Sequence, residues 1–131
     1  MKKYSKLPDN YDFIDAFLDW YWILYRSKKM RLWVDDVRTP PSNDYKWVKN
    51  VHEAIIYICQ MTRPNGTHNI EILDLDHDAG DYAWMGGDYI AILNWMEMKG
   101  INDIPIHIHS MNPVGMQNMK AIINKNNWRE V

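Results

Sequence analysis

Three short apolar runs in this chain each stop abruptly at acids, imidazoles or a hydroxyl. Leu32-Trp33-Val34 ends in Asp35-Asp36, Ile70 to Leu75 ends in Asp76-His77-Asp78, and Pro105 to His109 ends in Ser110. Runs of this length bounded by polar clusters read as buried strands, and Tyr45 to Val48 makes a fourth. Helix-length segments alternate with them. Asn50 stands three residues before Glu53 in a capping-box arrangement, opening a helix that should stop near Thr62, ahead of the turn Pro64-Asn65-Gly66. A second helix is expected from about Tyr89 to Met98, with Gly100 as its terminating glycine, and a third from Pro113 to about Asn126, capped by Asn112. Strands alternating with helices imply a largely parallel sheet, whose ligands bind outside the carboxyl ends of the strands. The polar clusters should therefore share one rim.

Composition narrows the setting. A chain of 131 residues, 47% hydrophobic and 24% charged, suits one globular domain rather than a disordered segment. The net charge of −2 lacks the basic excess of a polynucleotide binder, so long nucleic acid is not an expected partner. The single cysteine, Cys59, allows no internal disulfide and fits a reducing, cytoplasmic compartment. The most apolar stretch, residues 13–25, carries Asp15 and Asp19 and is too short to span a bilayer. Around it Asp12, Asp15, Asp19 and Arg26 form one wet stripe against Phe13, Phe17, Trp20 and Leu24, predicting a helix over residues 11–26 that packs on the domain or on a second subunit, possible contact for a homodimer. Residues 1–30 are thus read as an N-terminal helical extension and residues 31–131 as the α/β domain.

Asp35, Asp36, Asp76 and Asp78 bring up to four carboxylates toward one small volume. Their repulsion calls for a divalent cation, a raised pKa or basic partners, and hard oxygen ligands suit Mg²⁺ or Mn²⁺. For Asp36 and Asp78 taken singly, the capping of a turn is the alternative. His107 and His109, two apart on a strand, share a face. The deeper His107 is divided between a core role and a functional one, whereas His109 at the strand end is read as functional and dispensable for folding. Free N–H groups of the helix opening at Asn112-Pro113-Val114-Gly115 make a phosphate seat, Gly115 allows close approach of a ligand to the backbone, and Arg38 offers a phosphate clamp or a solvated loop cation.

Three ordered motifs carry a resemblance. Leu32-Trp33-Val34-Asp35-Asp36-Val37-Arg38-Thr39-Pro40-Pro41, Leu75-Asp76-His77-Asp78 and Ile108-His109-Ser110-Met111-Asn112-Pro113-Val114-Gly115 together resemble the cyclic-phosphate processing receiver domains, a divergent branch of the response-regulator receivers, over about residues 31–127. The resemblance implies a receiver-like, flavodoxin-like three-layer α/β sandwich, here with a reduced, mostly parallel four-stranded sheet and the extra N-terminal helix. It also implies action on cyclic phosphates. An ordinary receiver carries a lysine on a fifth strand that holds an aspartyl phosphate; no such strand is expected here, which disfavours phosphorelay signalling through Asp76.

The expectation from the sequence is binding and hydrolysis of a small cyclic phosphate, either a 2′,3′-cyclic RNA end or a cyclic nucleotide signal. Asp35, Asp36, Asp76 and Asp78 are the candidate ligands of Mg²⁺ or Mn²⁺; His109, His77 and Asp76 are the catalytic candidates; Ser110, Asn112, Arg38 and Gly115 are the candidate phosphate contacts. His77 and His109 acting as an acid/base pair without metal is the variant mechanism. The rival readings are a nucleotide-sequestering module, with Trp84 or Tyr82 stacking on a base, and a protein-interaction domain. No membrane partner is expected.

Overall fold

The computed structural model describes residues 29–131, so the helix expected over residues 11–26 lies outside the described residues. Four strands, β1 (Met30–Val34), β2 (Tyr45–Val48), β3 (Ile70–Leu75) and β4 (Ile106–Ile108), form one sheet in the order β2-β1-β3-β4. Every pairing between them is parallel. Three α-helices follow β2, β3 and β4 in turn: α1 (Val51–Gln60), α2 (Ile90–Lys99) and α3 (Pro113–Lys125). This is the receiver-like α/β arrangement read from the sequence. β1 starts at Met30, one residue before the expected domain start.

The helix boundaries follow the capping chemistry. Asn50 accepts the Glu53 N–H at 2.8 Å, while the Glu53 carboxylate reaches back to the Lys49 N–H at 3.2 Å, one residue before the usual capping-box donor. Gly100 ends α2 in the left-handed conformation at φ 71°, which glycine adopts without a Cβ penalty. Asn112 caps α3 by accepting the Gly115 N–H at 3.0 Å, and Pro113 fills the first turn, where its missing N–H costs nothing. The crossover from β1 to β2 departs from the usual scheme: residues 35–44, stiffened by Pro40 and Pro41, connect two parallel strands without a helix.

Alternation along the strands separates two faces. Leu32, Val34, Val48, Leu73, Leu75, Ile106 and Ile108 join one core with Ala54 and Ile58 of α1, Ile92, Leu93 and Met96 of α2, and Met119 and Ile123 of α3. The intervening positions Arg31, Trp33, Tyr45, Trp47, Ile72, Asp74 and His107 point the other way. In the expected three-layer sandwich this second face is the one the described helices leave. Beyond α3 the chain turns back beside β4: the Ile106 N–H donates to the Arg129 carbonyl and the Val131 N–H to the Ile106 carbonyl, both at 2.9 Å, with a parallel bridge between Ile106 and Glu130. No described helix is long and apolar enough to cross a membrane.

Candidate functional site

Because the sheet is parallel, the ends of β1, β3 and β4 rise together and their trailing side chains meet. Asp35, Asp36 and Asp76 place carboxylate oxygens within 4.8 Å of one another. Asp35 and Asp76 are buried and Asp36 half-buried. Asp78, expected in the same cluster, instead lies with His77 and Asp88 in a second group. It is exposed, accepts from His77 Nδ1 at 2.9 Å and receives the Asn112 amide at 3.3 Å.

The electrostatics separate the clustered acids. Burial pushes the Asp36 carboxyl upward, and the neighbouring Asp35 and Asp76 charges add to the rise. Burial acts on Asp35 in the same sense but is outweighed by the Arg38 and Val37 backbone N–H groups and by His109, so its carboxyl ends below the usual range. Those N–H groups both reach Asp35 Oδ1, at 2.8 and 3.0 Å. Asp78 is held low by its bond from His77 and then by Asn112.

His109 occupies the centre of a buried chain of polar contacts. Its Nδ1 lies 2.6 Å from Asp74 Oδ1 and its Nε2 lies 2.8 Å from Asp35 Oδ2. Ionised carboxylates only accept, so this geometry asks for a proton on both ring nitrogens. Burial opposes the imidazolium, yet the bonds to Asp74 and Asp35 prevail and the ring's pKa is raised. The ring lies flat on Trp33, with centroids 3.8 Å apart and planes 1° from parallel. Trp33 in turn donates from its indole to the Arg38 carbonyl, and Trp47 donates to the Asp35 carbonyl, both at 2.8 Å. The aromatic second face of the sheet thereby anchors the acidic loop.

Several expected roles shift. His109 has a folding role as well as a place at the rim, contrary to the expectation that folding can dispense with it, because removing the ring would strand two buried carboxylates. His107 is exposed rather than a core group, with Nδ1 2.6 Å from the Val131 carbonyl. Gly115 serves packing: a Cβ there would stand 2.5 Å from His77 Cγ, so its missing side chain is space for the imidazole. The Gly115 N–H is taken by the Asn112 cap and the Met116 N–H by the Asn112 carbonyl, which reduces the phosphate seat at the start of α3 to Val114. Ser110 is buried and accepts the Asn112 N–H at 3.0 Å. Arg38 crosses from the β1 loop to the end of β4, donating to the His109 carbonyl at 3.0 Å and leaving other guanidinium N–H groups for a ligand.

Asp74, Trp33 and Asp88 were not singled out as site residues in the sequence. Asp74 had one legible signal, an acid between Leu73 and Leu75 in an otherwise apolar run. Among the described residues, two grooves lie beside β2, at Trp47 and Tyr57, and near the amino ends of the strands, at Arg31 and Arg129. The acids line neither of these grooves, although Trp47, which lines the first, donates to the Asp35 carbonyl.

The donor set fits a divalent cation. Three hard carboxylates converge, one of them is destabilised by the other two, and a Cβ on Gly80 would come within contact of Asp36 Oδ2, at 2.3 Å, so glycine keeps that carboxylate's place clear. A family model described as the Cyclic-phosphate processing Receiver domain matches residues 30–125. No curated protein and no solved structure matches significantly.

Proposed function

The chain belongs to the cyclic-phosphate processing receiver domain family, and from that premise we propose that its rim binds a small cyclic phosphate and hydrolyses it with a divalent cation. The convergence of Asp35, Asp36 and Asp76 carries this reading. These three residues would hold Mg²⁺ or Mn²⁺. Such a cation polarises a phosphoryl oxygen and acidifies a bound water.

The chain's own groups cover the remaining needs. Hydrolysis adds water to phosphorus, breaks one ester P–O bond, takes a proton from the water and gives one to the leaving oxygen. His77 is suited to the first transfer: Nδ1 is oriented by Asp78 at 2.9 Å, which leaves Nε2 as the basic nitrogen. His109, the other catalytic candidate, has both N–H groups held by Asp74 and Asp35, so the second proton would come from water at the open rim. Arg38 and the Val114 N–H would hold phosphate oxygens, while Ser110 and Asn112 shape the turn that carries them.

A second reading, sequestration of a nucleotide without cleavage, is favoured by Trp84, which is 79% exposed on the loop after β3 and free to stack on a base. Incubation with a panel of 2′,3′- and 3′,5′-cyclic nucleotides, with Mg²⁺ or Mn²⁺, separates the two. Linear monophosphate supports hydrolysis; intact ligand recovered from a tight complex supports sequestration; neither product nor binding across the panel refutes both.

A further inference from the structure

We propose that Asp74, acting through His109, is a positioning residue for the cation site, because it fixes the one oxygen of Asp35 that can still accept a ligand. The inference rests on the reading of Asp35, Asp36 and Asp76 as cation ligands.

A carboxylate oxygen has two lone pairs. Asp35 Oδ1 already accepts two backbone N–H groups, from Val37 at 3.0 Å and Arg38 at 2.8 Å. Among the described residues the donor at hydrogen-bond distance from Asp35 Oδ2 is His109 Nε2, at 2.8 Å, with Arg38 Nε farther away at 3.9 Å; the adjoining Asp36 carboxylate, ionised as a cation ligand, only accepts. One lone pair of Oδ2 therefore remains, and its direction depends on where His109 stands. Asp35 is fully buried, so no water competes to reorient it.

His109 is set by contacts from three sides. Trp33 fixes the plane of the ring and Arg38 holds the backbone carbonyl, but both would permit a half-turn about the Cβ–Cγ bond, which keeps the plane and exchanges the ring edges. Asp74 removes that freedom by holding Nδ1 at 2.6 Å. Asp74 is itself buried, on the inner strand β3, opposite Trp33 on one side and His107 on the other. It lies outside both groups of potential cation ligands. The chain Asp74–His109–Asp35 thus resembles the outer-shell partners of metal ligands, whose loss typically weakens metal affinity about 10–100-fold.

The test is a Mn²⁺ titration followed by melting temperature, which reads binding to the folded state without any turnover. Full-length wild type, Asp74→Leu, Asp74→Asn, His109→Gln and the corresponding double variants are compared. Asp74→Leu should weaken apparent Mn²⁺ affinity about 10–100-fold. Asp74→Asn, whose carbonyl still accepts from Nδ1, should recover much of that loss. If Asp74 works through His109, adding either Asp74 substitution to His109→Gln should weaken binding no further. A folded Asp74→Leu protein with wild-type affinity overturns the proposal. So do losses that simply add in the double variants. Should Asp74→Leu fail to fold, the Asn variant and its double carry the same comparison. A wild-type protein with no Mn²⁺-dependent shift refutes the cation site itself, an outcome visible before any substitution is made.

Discussion

Replacing His109 with Ala tests the buried chain at its centre. The substitution removes two charge-assisted hydrogen bonds and leaves the Asp35 and Asp74 side chains, 0% and 8% exposed, without the cation between them. Breaking a buried pair by deleting one partner costs about 3–5 kcal/mol. The two N–H groups on Asp35 Oδ1 still compensate part of the charge, which favours the lower end of that range. For a domain of this size, about 3 kcal/mol corresponds to a fall of roughly 10 °C in Tm. The pH dependence has a definite sign. His109 has a raised pKa when folded, so its contribution is complete below the unfolded imidazole value of about 6.5 and is lost as pH rises through the folded value. Asp35 has a lowered pKa, so its contribution is present above about 3.9 and is lost as pH falls through the folded value. Calorimetry of wild type and His109→Ala in metal-free buffer should therefore show the widest gap between about pH 4 and 6.5, narrowing on both sides. Equal Tm values at pH 5.5, or a gap that grows as pH rises, would refute the doubly bonded imidazolium.

Other substitutions probe the surroundings. Asp36→Asn should move two measurements in opposite directions: the raised carboxyl costs stability as pH climbs through its folded value, so the metal-free variant should melt at or above wild type at neutral pH, while its Mn²⁺-dependent shift should vanish. Gly115→Ala would gain about 1 kcal/mol from helix propensity alone, yet a Cβ 2.5 Å from His77 Cγ should displace the ring and give a net loss of about 1–3 kcal/mol by denaturant unfolding. His107→Ala should change stability by less than about 0.5 kcal/mol, since the side chain is exposed and among the described residues bonds to the Val131 carbonyl alone; a larger loss would restore a core role.

The parts legible in the sequence were those decided by neighbours along the chain. Asn50 with Glu53, Gly100, and Asn112 with Pro113 each act within a turn of helix, so the helices could be placed from those residues alone. The apolar runs gave the strands, and the acids at their ends gave the rim. What escaped were contacts set by register between strands. Asp74 meets His109 only because β3 lies between β1 and β4 and pairs Asp74 with both Trp33 and His107. Alternation put His107 and His109 on one face correctly but could not tell that the face at His107 is open. The division of Asp78 from Asp35, Asp36 and Asp76 likewise depends on the path of the chain after β3, where His77 and Asn112 draw the carboxylate aside.

That division bears on how a site crowded with acids can receive an anionic ligand at all. Four carboxylates facing one phosphate would repel it, whereas the observed arrangement spends each charge differently. Asp74 and Asp35 are bridged by the His109 cation, and Asp78 is held aside by His77 and Asn112, so within the cluster of Asp35, Asp36 and Asp76 the latter two have no cationic side chain bonded to them among the described residues. A divalent cation would balance those two, and Arg38 adds a positive charge on the side of the rim where His109 already lies. The hydrogen bonds that fix the folded loop are therefore also those that would lower the negative charge of the rim once a cation is bound, which is what the proposed phosphodiester needs in order to approach it.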